Sequence, residues 1–158
     1  MAKRTVLITG CSDGGIGAAM TKAFPDQGYH VFATLRNTSK AESLAQLANV
    51  EILQLEVTSP ESIEQCVRKV QKRTGGTLDV LVNNAGADFV MPLLDASIED
   101  AKKLYDVNVW SILATTQAFA PLLVKAKGIV CNISSIAATM PLAWSGKQIH
   151  SLVRLYRY

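Results

Sequence analysis

Thr5-Val6-Leu7-Ile8-Thr9-Gly10-Cys11-Ser12-Asp13-Gly14-Gly15-Ile16-Gly17 is the stretch on which the fold turns. A β-branched and aliphatic run stops at a cluster of glycines, and an apolar helical pattern follows. Ile16, Ala19, Met20, Ala23 and Phe24 fall at i, i+3, i+4, i+7 and i+8, the spacing of one helix face. A strand that feeds a helix through glycines presents free backbone N–H groups at the positive end of the helix dipole, a ready site for a phosphate. Gly10 permits the tight turn, Gly15 a close approach of the ligand, and Gly17 close packing of helix on strand.

Outward from this turn, strand and helix patterns alternate. Tyr29 to Leu35 reads as a second strand, with Pro25 stopping the first helix and Gly28 closing the turn. Ser39 to Ala48 reads as a short helix with Ala41, Leu44, Ala45 and Ala48 on one face, and Glu51 to Val57 as a third strand. Thr58 or Ser59 caps a helix that starts at Pro60 and buries Ile63, Cys66, Val67 and Val70. Gly75-Gly76 breaks the chain before a fourth strand, Leu78 to Val82. A long helix is expected from about Ile98 to Val124, then a fifth strand from Gly128 to Ile133. Continuous apolar strands alternating with helices call for a parallel sheet covered on both faces, an α/β doubly wound, Rossmann-like fold of about five strands. Ligands of such sheets bind at the carboxyl ends of the strands. That edge collects Thr9-Gly10, Leu35-Arg36, Glu56-Val57, Asn83 to Gly86 and Ser134-Ser135.

The bulk properties agree with a globular domain. The chain has 158 residues, 49% hydrophobic and 18% charged, enough for one sizeable core. Its net charge of +3 is scattered, with no basic stripe interleaved with aromatics, so nucleic acid is not an expected partner. Cys11, Cys66 and Cys131 are odd in number and far apart; neither a disulfide framework nor a metal site is indicated, and a reducing, cytoplasmic setting is expected. The first strand begins within a few residues of Met1, leaving no room for a signal peptide. The most apolar stretch, Ser111 to Val124, is too short and too polar for a membrane span. Peripheral association with a membrane or lipid droplet stays open.

The glycine turn departs from G-x-G-x-x-G. It resembles the T-G-x-x-x-G-x-G turn of the short-chain dehydrogenase/reductases, with one extra residue between Gly10 and Gly15-Ile16-Gly17. Asn83-Asn84-Ala85-Gly86 is similar to that family's N-N-A-G motif, and Glu56-Val57 to its acidic-apolar pair beside the adenine, with Glu where Asp is commoner. Asp106-Val107-Asn108-Val109 resembles the helix motif whose Asn helps hold a catalytic water. Ser135 matches the serine that hydrogen-bonds the reacting carbonyl or alcohol. The resemblance implies cofactor contacts at Gly10, Ser12, Gly15, Ile16, Gly17, Glu56, Val57, Asn83, Ala85 and Gly86. Arg36 stands where an acidic residue would accept hydrogen bonds from a ribose 2′-hydroxyl; a guanidinium grips a 2′-phosphate instead, with Lys40 a second positive charge nearby. The implied cofactor is therefore NADP(H), and the implied activity hydride transfer to or from a small-molecule ketone or secondary alcohol. Full-length relatives are expected to be homo-oligomers. Thr-Gly-Cys-Ser and Ala-Thr-Leu-Arg point softly to the hydroxysteroid dehydrogenase and acyl-dihydroxyacetone-phosphate reductase branches.

The resemblance stops near Gly146. The family's catalytic Tyr, with a Lys four residues later, is expected about a dozen residues after Ser135, where this chain has Gln148 and Leu152. No Tyr in the chain has a Lys four positions on. The reading is a cofactor-binding domain over 1–146, C-terminally truncated, and a non-family tail over 147–158. Gly146-Lys147 can be written GGT-AAG, containing the GTAAG that commonly opens an intron, so read-through of an unspliced intron, or a frameshift of similar origin, is the expected source of the tail. Two rival functions follow: a non-catalytic NADP(H)-binding module, or a non-functional product of an aberrant transcript.

Overall fold

A computed structural model of the chain describes residues 3–136. The expected tail over 147–158, with Gln148 and Leu152, and the stretch Met140 to Gly146 lie outside the described residues.

The strands are β1 (Arg4–Thr9), β2 (Tyr29–Leu35), β3 (Val50–Gln54), β4 (Val80–Asn83) and β5 (Ile129–Asn132). They form one parallel sheet in the order β3-β2-β1-β4-β5. The chain winds outward from β1 to β3, then crosses to the other side of β1. The order therefore reverses between β1 and β4, the position where such sheets open a crevice for ligands.

Side-chain alternation along the strands divides the core in two. Leu7, Phe32 and Leu81 are in register across β1, β2 and β4 and face one side. There they meet Ile63, Cys66 and Val70 of α2 (Pro60–Thr74) and Phe119, Leu122 and Leu123 of the last helix. Val6, Ile8, Val31, Ala33, Val80 and Val82 face the other side. They are covered by Ala18 of α1 (Ile16–Ala23) and by Ala41 and Leu44. The Ser59 hydroxyl accepts from the Ser62 N–H and caps α2, as its sequence indicates.

Two local expectations are corrected. The buried residues of α1 are Gly17, Ala18 and Thr21, while Ile16, Ala19 and Ala23 are exposed and only Met20 and Phe24 pack partly on the core. Gly17 lies so close to β1 that a Cβ there would come within 2.4 Å of the Gly10 carbonyl oxygen. This contact sets the rotation of the helix, and the larger apolar side chains turn aside. The helix expected over Ser39 to Ala48 is instead a pair of tight turns over Thr38–Leu44, joined by non-helical backbone at Lys40 and Ala41. Ala41 and Leu44 are buried as expected, but Ala45 and Ala48 are exposed. The long helix expected from about Ile98 to Val124 is present, and the apolar stretch Ser111 to Val124 is its second half. It comprises α3 (Ile98–Tyr105), a π-helical turn (Asp106–Trp110) and α4 (Ser111–Ala126) without a break. At 29 residues it is long and apolar enough to cross a membrane by length and composition. Ile112, Thr115, Phe119, Leu122 and Leu123 are nevertheless buried, which marks it as a core helix of the sheet.

Among the described residues β5 pairs only with β4, and Ile129, Val130 and Cys131 are exposed. An unprotected apolar edge strand without charge invites association with other chains. Poor solubility is expected for this chain alone, and Ile129→Lys, placed at a 59% exposed position, should raise the soluble fraction on expression. By contrast, Phe119→Ala empties a fully buried site under the sheet. It should cost about 3–5 kcal/mol in urea or guanidinium unfolding, a large share of the stability of a domain this size.

Candidate functional site

At the carboxyl ends of β1 and β4, one residue type after another is committed to holding the two strands together. The Thr9 hydroxyl accepts from the backbone N–H groups of Asn84 and Ala85, both at 2.9 Å. In return the Asn84 side-chain amide donates to the carbonyl oxygens of Thr9 (2.7 Å) and Gly10 (3.1 Å). Gly10 has φ +75°, and a Cβ on it would meet the Ala85 Cα at 2.8 Å. A side chain is excluded there by both conformation and space. Thr9, Gly10, Gly17 and Asn84 thus form one compact knot beneath the glycine turn.

Above the knot, a cleft of about 480 Å³ opens along the strand ends. Gly10, Ser12 and Ile16 form one part of its wall, and Arg36, Asn37 and Lys40 another. Glu56 and Val57 lie beyond β3, and Asn84 to Ala87 and Val107 close the remaining side. Ten of the expected positions can be placed relative to this cleft at once: Gly10, Ser12, Ile16, Arg36, Lys40, Glu56, Val57, Ala85 and Gly86 line it, and Gly17 lies beneath it. Gly15 is the N-cap residue of α1, offers no side-chain cap, and the first turn of that helix carries no acidic residue. Its first-turn N–H groups therefore have no capping side chain to accept from them, which suits an anion.

Arg36 is 78% exposed, and its Nε lies 3.6 Å from a carboxylate oxygen of Glu56. Glu56 also accepts from the Thr58 N–H and hydroxyl, so its carboxylate is fixed at the end of β3. The Gln54 side-chain amide donates to the Arg36 carbonyl. Behind the turn, the Asp13 carboxylate accepts from the N–H and hydroxyl of Ser43. Those bonds, helped by Lys22, hold its carboxyl below the ordinary Asp range. Cys11, also in the turn, is buried, and burial pushes its thiol up; it does not provide a thiolate.

Besides Gly15 and Gly17, three expected residues do not line the cleft. Asn83 is buried, and its side chain turns into the seam between β4, β5 and α4. It donates to Thr116 and Asn132 and accepts from the Thr115 hydroxyl at 2.8 Å. Asn108 lies in the π-helical turn, where its amide accepts from the Ala87 N–H and donates to the Ala87 carbonyl oxygen. It fixes the backbone that follows the Asn-Asn-Ala-Gly turn. Ser135 lies past β5 and is exposed, next to Ser134, whose buried hydroxyl has no hydrogen-bond partner among the described residues. The cleft also includes Leu35, Asn37, Leu55, Asn84, Ala87 and Val107, which the sequence reading did not single out. Asn84 carries the most information among them. Its motif is visible in the sequence, but only the three-dimensional contact with Gly10 distinguishes its role from that of Asn83. Among the described residues, no group of acidic, His and Cys side chains is placed to hold a metal.

The comparisons with known proteins agree with this geometry. The family model described as short chain dehydrogenase matches residues 4–147. "Short-chain dehydrogenase cctT" from Talaromyces islandicus is 62% identical over 143 residues, covering 90% of this chain and 50% of that protein. "NADPH-dependent 1-acyldihydroxyacetone phosphate reductase" from Schizosaccharomyces pombe is 38% identical over 157 residues, 99% of this chain and 53% of that protein. A crystal structure of a short-chain dehydrogenase from Streptomyces avermitilis superposes with a TM-score of 0.89 at 29% identity, covering 98% of this chain and 57% of that one. An alcohol dehydrogenase from Thermococcus sibiricus, complexed with 5-hydroxy-NADP, gives 0.86 at 27% identity, over 95% of this chain and 66% of that one. The chain spans about half the length of the curated relatives it matches. With a parallel sheet, a glycine turn and an Asn-Asn-Ala-Gly strand end converging on one cleft, the chain belongs to the short-chain dehydrogenase family.

Proposed function

We propose that the cleft binds NADP(H) and that the chain provides the cofactor-binding part of an NADP(H)-dependent oxidoreductase acting on a ketone or secondary alcohol. The observation that carries this reading is the pairing, in one cleft, of a glycine turn at one part of the wall with Arg36 and Lys40 at another. The turn can accept a pyrophosphate, because α1 has neither a capping side chain nor an acid in its first turn. Arg36 and Lys40 can grip a ribose 2′-phosphate, with Glu56 holding the guanidinium until phosphate arrives. Val57, Leu55 and Ala85 supply apolar surface for the adenine and its ribose. Bound NADP(H) would supply or receive the hydride. Ser135 would donate a hydrogen bond to the substrate oxygen, and Asn108 would orient the strand-end backbone next to it. The NADPH-dependent relative and the neighbour solved with an NADP analogue support the choice of phosphorylated cofactor. Free Cys11, Cys66 and Cys131 fit a reducing, cytoplasmic setting.

Binding and turnover separate the possibilities. Nicotinamide fluorescence should change when the folded chain is titrated with NADPH, and more weakly or not at all with NADH. Arg36→Glu should weaken NADPH binding by about tenfold to hundredfold, the value of one or two charge-assisted hydrogen bonds, and narrow or invert the preference. No response to NADPH from properly folded protein would refute the reading. With neither Gln148 nor Leu152 able to replace a Tyr and Lys pair in proton transfer, the chain of 158 residues should show no turnover on a panel of ketones with NADPH. Measurable reduction would show that another group supplies the proton.

A further inference from the structure

The segment that carries Lys40 into the cleft has little rigidity of its own. Thr38–Leu44 is two single turns interrupted by non-helical backbone at Lys40 (φ −89°, ψ 19°) and Ala41 (φ −130°, ψ 33°). Isolated turns lack the cooperativity of a helix, so their placement depends on outside anchors. Asn37 ties the start of the segment to Ser39, and Ala41 and Leu44 bury their side chains. The remaining anchors come from the glycine turn, thirty residues earlier, through a single residue. The Asp13 N–H donates to the Lys40 carbonyl oxygen at 2.7 Å, and the Asp13 carboxylate accepts from the Ser43 N–H at 3.2 Å and from the Ser43 hydroxyl. Asp13 therefore holds the backbone on both sides of the kink. Neither Asp13 nor Ser43 lines the cleft, so these contacts support the wall from behind.

We propose that Asp13 is a positioning residue for cofactor choice: it locks the pyrophosphate turn to the Lys40 segment, so that Lys40 and Arg36 stand ready for a 2′-phosphate when the pyrophosphate is bound. The inference rests on the NADP(H) reading and extends it. Four residues separate Gly10 from Gly15, one more than in the family turn this one resembles, and Asp13 is among them. The carboxylate adds negative charge near an anion site. It nevertheless favours binding, because its oxygens are engaged by Ser43 and so hold the far side of the kink, while the backbone N–H of the same residue holds the Lys40 carbonyl.

Calorimetric titration of the full 158-residue chain with NADPH and with NADH tests this, using the wild type, Asp13→Ala and Ser43→Ala. In the wild type NADPH should bind more tightly. Asp13→Ala should raise the NADPH dissociation constant about fivefold to tenfold, at the low end of coupling between neighbouring sites, and leave that for NADH within about twofold. Ser43→Ala removes the hydroxyl bond alone and should move the ratio the same way by less; it also serves if Asp13→Ala fails to fold. A purely structural role would weaken both cofactors alike, and an unchanged NADPH-to-NADH ratio in both variants, or a tighter hold on NADPH in Asp13→Ala, overturns the proposal. A wild type without preference for NADPH refutes the reading beneath it.

Discussion

The contact on which the structure depends is the approach of Gly17 to the Gly10 carbonyl, with the Asn84 amide wedged beside both. The space left for a Cβ on Gly17 is bounded at 2.4 Å by the Gly10 oxygen and at 2.7 Å by Asn84 Nδ2. Interiors this tight do not yield to small shifts. One consequence is the rotation of α1, which places Ala18 and Thr21 inward and Ile16 at the cleft. Another is the level of the glycine turn relative to the sheet, since Gly10 is tied by Asn84 to the end of β4. The turn is thus a rigid extension of two central strands.

Polar groups do at this edge what apolar ones do in the core. Thr9 and Asn84 satisfy each other's backbone and side-chain groups, while Asn83 satisfies Thr115, Thr116 and Asn132 on the opposite side. Adjacent asparagines on a strand point to opposite faces, so the same residue type serves two purposes. One ties β4 to β1 and faces the cleft; the other ties β4 to α4 and β5. Buried amides must have such partners, and a fully partnered network fixes the strand ends in one arrangement. Asn108 continues the network by accepting from and donating to the backbone of Ala87. Its place in a π-helical turn has a simple geometric use, because one extra residue in the helix turn re-aims the side chains that follow.

Sequence reading recovered the sheet because its strands are continuous apolar runs bounded by Gly, Pro and capping residues. β2 spans Tyr29–Leu35 as expected, and α2 begins at Pro60 after Ser59. It failed where a tertiary contact outweighs a local pattern. The stripe from Ile16 to Phe24 has helical spacing, but the glycine contact chooses a different face. Ser39 to Ala48 is rich in good helix formers, yet Asp13 bonds to the backbone at Lys40 and Ser43 and the segment kinks between them. Within the site, residues whose chemistry is visible in their type, Arg36, Lys40, Glu56, Gly10 and Gly86, come together at one cleft. Asn84, Asn37 and Asp13 act through partners remote in sequence, and nothing in their local spacing indicates those partners.

This division has a physical basis in how a doubly wound sheet builds a ligand site. A cleft at the switch between β1 and β4 is complete once both strand ends and the loops above them are held in place, and all of those groups lie between Thr9 and Val107. Recognition of a nucleotide needs fixed donors, fixed charges and an apolar wall, each of which a rigid edge supplies. Proton transfer needs something else: a titratable group whose pKa is moved toward the working pH and held within reach of the substrate oxygen. Among the described residues around the cleft, Asp13 is held ionised by Ser43, and the Cys11 thiol is pushed up by burial. Neither shift moves a proton donor into the useful range. What the described edge does hold is its two cationic positions: Asp13 bonds the Lys40 carbonyl and Ser43 from the glycine turn, and Glu56 lies beside the Arg36 guanidinium from the end of β3.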